Sequence, residues 1–291
     1  MISIVICSRN AQALKEVSQD VENTIGIPYE IIGIDNSEGQ YGICEAYNIG
    51  AGKSKYDNLC FMHEDIRFHT PDWGKLVVPL LADIKTGVLG VAGGAYMVDA
   101  PASWYALSGP KYIRMKVIHT VGGESTSIDV RPTEETLFSV AVVDGLWMCC
   151  RKEVWAEFRF DQGDFPEFHC YDIDFCTRIF VKYKIYVNLG ISVEHFSTGS
   201  YNKSWYDNVS KYYLVRRSYL PFGSIQLAVD EEKAITLKVF HEFMSGYINV
   251  NVSFGRGVNL LLRCLLLEPF NRDTLWLVKK FFKKKFFNIN T

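Results

Sequence analysis

The stretch 60–69, CFMHEDIRFH, runs an apolar approach straight into His63, Glu64 and Asp65. An imidazole and two carboxylates are ligands for a cation. Carboxylates at the end of a buried strand are costly unless paired, cation-bound or solvated. The residues alone leave two readings open: a solvated strand end, or a place that receives positive charge. A second acidic group follows in FHCYDIDFCTR (168–178). Asp174 stands four residues before Arg178, the spacing of a helical ion pair. Asp172 begins the same helix, either as an N-cap or as an accessible carboxylate. Third comes VEHFSTGS (193–200), where His195 follows a strand. A lone histidine is commonly just a hydrogen-bonding partner. The loop that follows, 197–203, is expected to close over a ligand.

Elements must bring these groups together. ISIVICS (2–8), YEIIGID (29–35) and NLCFMHED (58–65) are β-rich runs, and 11–26, 42–54 and 72–85 carry helical patterns. A fourth strand is expected over 87–98. This alternation argues for βαβ units on a parallel sheet. Ligands of open α/β sheets sit beyond the carboxyl ends of the strands. There stand Ser8, Arg9 and Asn10, then Asp35, Asn36 and Ser37, then His63, Glu64 and Asp65. From 99 to 139 Pro and Gly break any long element, and VIHTVGG with STSIDVRP is expected to pair as short strands. Strand character resumes in 137–155 and 184–196, with helices over 172–183 and 204–219. Residues 230–287 read as two or three amphipathic helices, divided near 255–257 and at Pro269.

Composition narrows the classes. The 291 residues, 48% hydrophobic and 22% charged, fit one large globular domain with or without an appendage. A net charge of −2 gives no general attraction to nucleic acid. The eight cysteines include the adjacent Cys149 and Cys150 and no CxxC pair, which argues for reduced thiols and against structural zinc. No charged n-region precedes the first strand, so a cytoplasmic protein without a secretory leader is expected. No GxGxxG follows that strand, and GAGKS (50–54) lacks P-loop spacing and ends a helix.

The order ISIVICSRN, YEIIGIDNSEG, YGICEAYNIGAGKSKYDNLCFMHEDIRF, then VDGLWMCCRKEVW, YDIDFCTR and VEHFSTGSYNKSWY, resembles family-2-type glycosyltransferases of GT-A fold. The resemblance covers about residues 1–215 and is to a subgroup with His-Glu-Asp in place of Asp-x-Asp. It implies an α/β fold with a mixed, mostly parallel central sheet flanked by helices. The parts would be a nucleotide-sugar half (1–98), an acceptor half (99–220) and a C-terminal helical extension (221–291). It implies inverting transfer from a nucleotide-diphosphate sugar, a UDP-sugar first among them, to a glycan or lipid-linked acceptor. Ser8, Arg9, Asp35 and Asn36 would hold the nucleotide, with His63 standing where the family often has an Asp. Asp65, the last acid of the motif, would bind Mn²⁺ or Mg²⁺. His195 would reach the metal or diphosphate, and Lys203 the diphosphate, while Glu64 would point away.

The resemblance also implies that Asp172 is the general base, beside Tyr171 where the family carries a Glu. Asp144, Gly145 and Trp147, with Trp104 and Tyr105, would line the sugar and acceptor side. The two departures, His63 and Tyr171, keep open a rival: a non-catalytic glycan-binding or scaffolding protein on a degenerate transferase fold. A nucleotidyltransferase is disfavoured, because Ser8-Arg9-Asn10 lacks the glycines of its first loop. The tail, KKFFKKKFF (279–287), holds five lysines and no acid, leaving the remainder at about −7. In 275–287, Leu275, Val278, Phe282 and Phe286 form an apolar stripe, with the lysines mostly opposite. That suits a helix lying on anionic lipid at the inner face of the cytoplasmic membrane, or a basic helix whose phenylalanines pack on the domain.

Overall fold

The computed structural model describes residues 1–197, 199, 201–250 and 253–287. The first half runs β1 (Ile2–Ser8), α1 (Ala11–Thr24), β2 (Tyr29–Asp35), α2 (Ile43–Lys53), β3 (Asn58–Met62), β4 (Ile66–Phe68), α3 (Trp73–Leu81), β5 (Thr86–Gly90), β6 (Ala92–Gly94) and β7 (Tyr96–Met97). Then come β8 (Ile113–Val121), β9 (Glu124–Val130), β10 (Leu137–Val140), β11 (Val142–Val143), β12 (Trp147–Arg151), α4 (Lys152–Phe158), α5 (Tyr171–Phe180), β13 (Lys184–Asn188), β14 (Val193–His195) and α6 (Lys203–Arg216). A 3-10 turn (Arg217–Tyr219) and β15 (Phe222–Gly223) lead to α7 (Val229–Asn249), α8 (Phe254–Leu267) and α9 (Arg272–Phe287).

The central sheet has seven strands in the order β10-β13-β5-β12-β3-β1-β2. β1 pairs in parallel with both β2 and β3, as expected. The sheet is mixed because β12 inserts antiparallel between β3 and β5 and β10 pairs antiparallel with β13 at the edge. Its continuous apolar run, Trp147 to Cys150, is buried on both faces like any central strand. One face carries α1 and α3, with Trp73 and Trp147 at the centre of its cluster. The other carries α2, α4 and α5, with Tyr47, Phe61 and Phe175.

Two expected strands are divided. The run over 58–65 stops at Met62, and the chain resumes as β4 in a second sheet of order β11-β6-β8-β14-β4, with β9 on β8. The acidic triplet is therefore the crossover between two sheets. The run over 87–98 becomes β5, β6 and β7, one in each of three sheets. The β8–β9 hairpin forms as expected, turned by Gly122 and Gly123 at φ 62° and 86°. Those left-handed angles are the two-residue turn that glycines favour.

The apolar cluster under α2, α4 and α5 continues without a break into α7, α8 and α9 through Phe240, Met244, Tyr247 and Phe281. The N-terminus of α7 is tied back to β7 and to the segment before β8: Tyr96 donates to Glu232 (2.6 Å), and Lys111 and Tyr112 both donate to Glu231. α7 ends at Asn249 and α8 begins at Phe254, so 255–257, expected to divide the helices, lie inside α8. On α9 the expected stripe is corrected: Leu277 and Phe281 are the buried residues, Val278 and Phe282 are half-buried, and Leu275 and Phe286 are exposed. No described helix is long and apolar enough to cross a membrane.

Candidate active site

Topology explains why separate motifs meet. The parallel register places Ser8 beside Asp35 and Ile6 beside Met62, so the first three strand ends share one edge. Antiparallel β12 begins at that edge, since Trp147 pairs with Met62, and His63 N–H donates to Leu146 C=O (3.0 Å). This draws Asp144 and Gly145 to the triplet. The β4–β14 pairing sets His195 opposite Ile66, and Phe196 N–H donates to Asp65 C=O (3.0 Å). The N-terminus of α5 closes the group. Together these surround a crevice of about 1230 Å³ lined, among others, by Arg9, Asn36, His63, Asp65, Trp104, Asp144, Asp172 and His195.

His63, Asp65 and His195 offer three ligand atoms that all lie within 4.8 Å of one another. Asp65 Oδ1 is 3.8 Å from His63 Nδ1 and 3.5 Å from His195 Nε2. Burial works to raise the Asp65 pKa, but the hydrogen bond and charge of His195, then the charge of His63, hold it well below the usual carboxylate range. For His195, burial works to lower the pKa and the Asp65 carboxylate raises it, with a net shift upward. Burial dominates at His63 and lowers its pKa. An ionised carboxylate flanked by two imidazoles, with His195 Nε2 facing Asp65 Oδ1 and 3.0 Å from Ser197 Oγ, fits a divalent cation. Two nitrogens and one oxygen suit Mn²⁺ better than Mg²⁺, which prefers an all-oxygen shell.

His63 and Tyr171 touch each other: Tyr171 Oη lies 2.7 Å from His63 Nε2. If Nε2 carries the hydrogen and donates to that oxygen, the Nδ1 lone pair is left facing Asp65. Asp172, one residue on, accepts from Gly145 N–H (3.2 Å) and Ile173 N–H (2.8 Å). A helix N-terminus favours an ionised carboxylate. Here burial, then the negative charge of Asp144, outweigh those backbone hydrogen bonds and raise the Asp172 pKa to about 7. Asp174 is the expected partner of Arg178 (2.7 Å), and Arg216 completes its pairing (2.6 Å).

Other expected residues are placed differently. Trp147 is corrected: it is fully buried, 5.8 Å from Trp73 between ring centroids, and belongs to the core. Glu64 is corrected too: it accepts from Ser8 Oγ (2.6 Å), Arg9 N–H (3.1 Å) and Asn10 N–H (3.3 Å), so it ties the β3 end to the first loop. That contact occupies Ser8. Asp35 is exposed outside the crevice lining and accepts from Ser37 N–H (2.9 Å). Asn36 braces its loop through Tyr41. Lys203 is paired with Asp207 (2.6 Å) and does not line the crevice. Trp104 and Tyr105 do line it. In the loop expected to close, Thr198 and Ser200 lie outside the described residues. Sequence reasoning missed His119, whose ring is 5.6 Å from that of His195, and the crevice aromatics Phe168 and Tyr201. His119 and His195 are neighbours only through the parallel β8–β14 pairing, which nothing local signals.

A mixed central α/β sheet followed by C-terminal helices is the architecture of the GT-A fold. The chain belongs to the glycosyltransferase-like family, matched over residues 3–210. None of the curated proteins is a significant match. Among solved structures, the chain is similar to S. aureus TarS (residues 1–349) in complex with UDP, at 11% identity over 96% of this chain and 87% of that one, with a TM-score of 0.54. It is also similar to GalNAc-T7 with UDP, GalNAc and Mn²⁺, at 12% identity over 84% of this chain, with a TM-score of 0.51. It spans 56% of the length of that structure. At these identities the likeness is one of fold.

Proposed function

We propose that the chain is a metal-dependent, inverting glycosyltransferase that moves a sugar from a nucleotide-diphosphate donor, foremost a UDP-sugar, to a glycan or lipid-linked acceptor hydroxyl. The observation that carries this reading is the presence, in one crevice, of the His63–Asp65–His195 cluster and of a carboxylate, Asp172, whose pKa sits near 7. A base must be ionised yet basic at working pH, and a carboxylate raised to that range meets both needs. Asp172 takes the proton of the acceptor hydroxyl as its oxygen attacks the anomeric carbon. The bond from that carbon to the diphosphate oxygen breaks on the opposite side. Asp144 sustains the basicity of Asp172, and Gly145 N–H orients its carboxylate. Arg9 is the single Arg or Lys among the described lining residues, so side chains alone leave the diphosphate under-compensated. Mn²⁺ held by Asp65, His195 and His63 would supply the positive charge that the departing diphosphate needs. Trp104 and Tyr105 offer aromatic faces to sugar C–H groups.

Thermal-shift measurements with nucleotide sugars, with and without Mn²⁺, test the donor and metal together. The expected result is a rise in Tm that needs both, followed by slow donor hydrolysis. No shift with any nucleotide, or a shift indifferent to metal, overturns the proposal. Binding without any turnover would favour the non-catalytic rival.

A further inference from the structure

The outer face of the α8–α9 hairpin is apolar and basic at once. Leu262 and Leu266 share one side of α8, and Leu266 and Phe270 are 81% and 91% exposed. On α9, Thr274, Leu277 and Phe281 face inward. The helical repeat therefore turns Leu275, Trp276 and Phe286 outward among Arg272, Lys279 and Lys283. Lys280 Nζ lies 4.8 Å over the Trp276 ring. From 270 to 287 there are six basic residues and one acid, Asp273.

Charge decides between possible occupants. A second copy on a two-fold axis would set these same lysines against each other. An anionic bilayer accepts both the cations and the apolar side chains. The remainder of the chain, at about −7, would be repelled by that bilayer, which orients the approach so that this face leads.

The face is also next to the crevice. Ser204 and Trp205 of α6 line the crevice, and the same helix rests on α7 and α8 through Trp205 on Phe243 (5.9 Å) and Arg256 on Asp207 (3.3 Å). Lys284 Nζ donates to Asn249 C=O (3.0 Å), which ties the last turns of α9 to the end of α7, the helix on which α6 rests.

We propose that the α8–α9 hairpin docks the protein on an anionic lipid surface, with Leu262, Leu266, Phe270 and Trp276 entering the interface and Arg272, Lys279 and Lys283 on the headgroups. Docking holds the crevice rim near the headgroup plane, where a lipid-linked acceptor presents its hydroxyl. That use of the surface rests on the transferase reading; the docking itself does not.

The test is co-sedimentation of the full chain with phosphatidylcholine vesicles containing half phosphatidylglycerol, and with pure phosphatidylcholine. Partition is expected to be at least about tenfold stronger on the anionic vesicles and to weaken with salt. Leu266→Asp with Phe270→Asp, and separately Lys279→Glu with Lys283→Glu, are each expected to reduce it by about tenfold or more. These side chains lie away from the crevice, so the Tm rise with UDP and Mn²⁺ should be unchanged in every variant. No partition, or variants that partition like the parent chain, overturns the docking proposal. So does a parent oligomer, seen by light scattering, that the same variants disperse, since it assigns the face to a second copy. The UDP and Mn²⁺ shift, read on the same samples, fails independently if the transferase reading is wrong.

Discussion

Replacing Asp172 with Asn separates two consequences of one carboxylate. The fold raises its pKa from 3.8 to about 7, by burial first and by Asp144 second. A raised acid is bound more tightly in its protonated form, so its stabilising contribution is complete below the unfolded pKa and is lost as pH climbs through 7. The shift corresponds to roughly 4 kcal/mol at most, and water in the crevice reduces it to about 2–4 kcal/mol. Asparagine has no charge to bury. The variant should therefore gain on the parent between pH 4 and pH 8, ending more stable at pH 8 by about that amount, as read from paired urea titrations. Activity should go the other way. The parent kcat/KM for transfer should rise with pH around a midpoint near 7. The variant should lose about 10²–10⁴-fold in kcat and show no such rise. A variant within about threefold of the parent rate removes Asp172 as base. An unchanged stability gap from pH 4 to pH 8 would refute the burial argument itself.

Asp65→Asn should weaken Mn²⁺ binding by tenfold or more on the scale of lost charge in a metal site, and calorimetry with Mn²⁺ alone reads this directly. Tyr171→Phe removes the partner of His63 Nε2 and should cost about 10–100-fold in Mn²⁺ affinity with little loss of stability; unaltered affinity would mean that His63 does not ligate. Trp147→Ala should destabilise by roughly 3–5 kcal/mol in chemical denaturation, because it empties the centre of a packed cluster; a folded variant changed only in acceptor KM would restore its place at the acceptor. Glu64→Gln should loosen the first loop and raise donor KM more than it lowers kcat, and the reverse pattern in steady-state kinetics would assign it to the chemical step.

β1 and β3 were legible because strands buried on both faces write continuous apolar runs, and β2, a half-buried edge strand, was legible from its β-branched run. The ion pair of Asp174 and Arg178 followed from helical spacing. What escaped was set by strand pairing over long separations. An apolar tryptophan two residues after Gly145 reads alike for a sugar platform and a core residue, and only the insertion of β12 between β3 and β5 decides for the core. Glu64 looked idle because its three donors lie 54 to 56 residues earlier. The Asp172 pKa was unreadable for a similar reason: the helix start is visible in the sequence, whereas the enclosing wall and Asp144 come from elsewhere in the chain.

The contact between His63 and Tyr171 constrains how such a site can change by descent. Tyr171 is 4% exposed, and a Cβ at position 145 would lie 2.1 Å from its hydroxyl oxygen. Replacing His63 changes the partner of a buried phenol, and Glu at position 171 would crowd another carboxylate against Asp172 and Asp144. A substitution at 63 or 171 is therefore felt at the other position, and glycine is held at 145 for as long as the tyrosine stays.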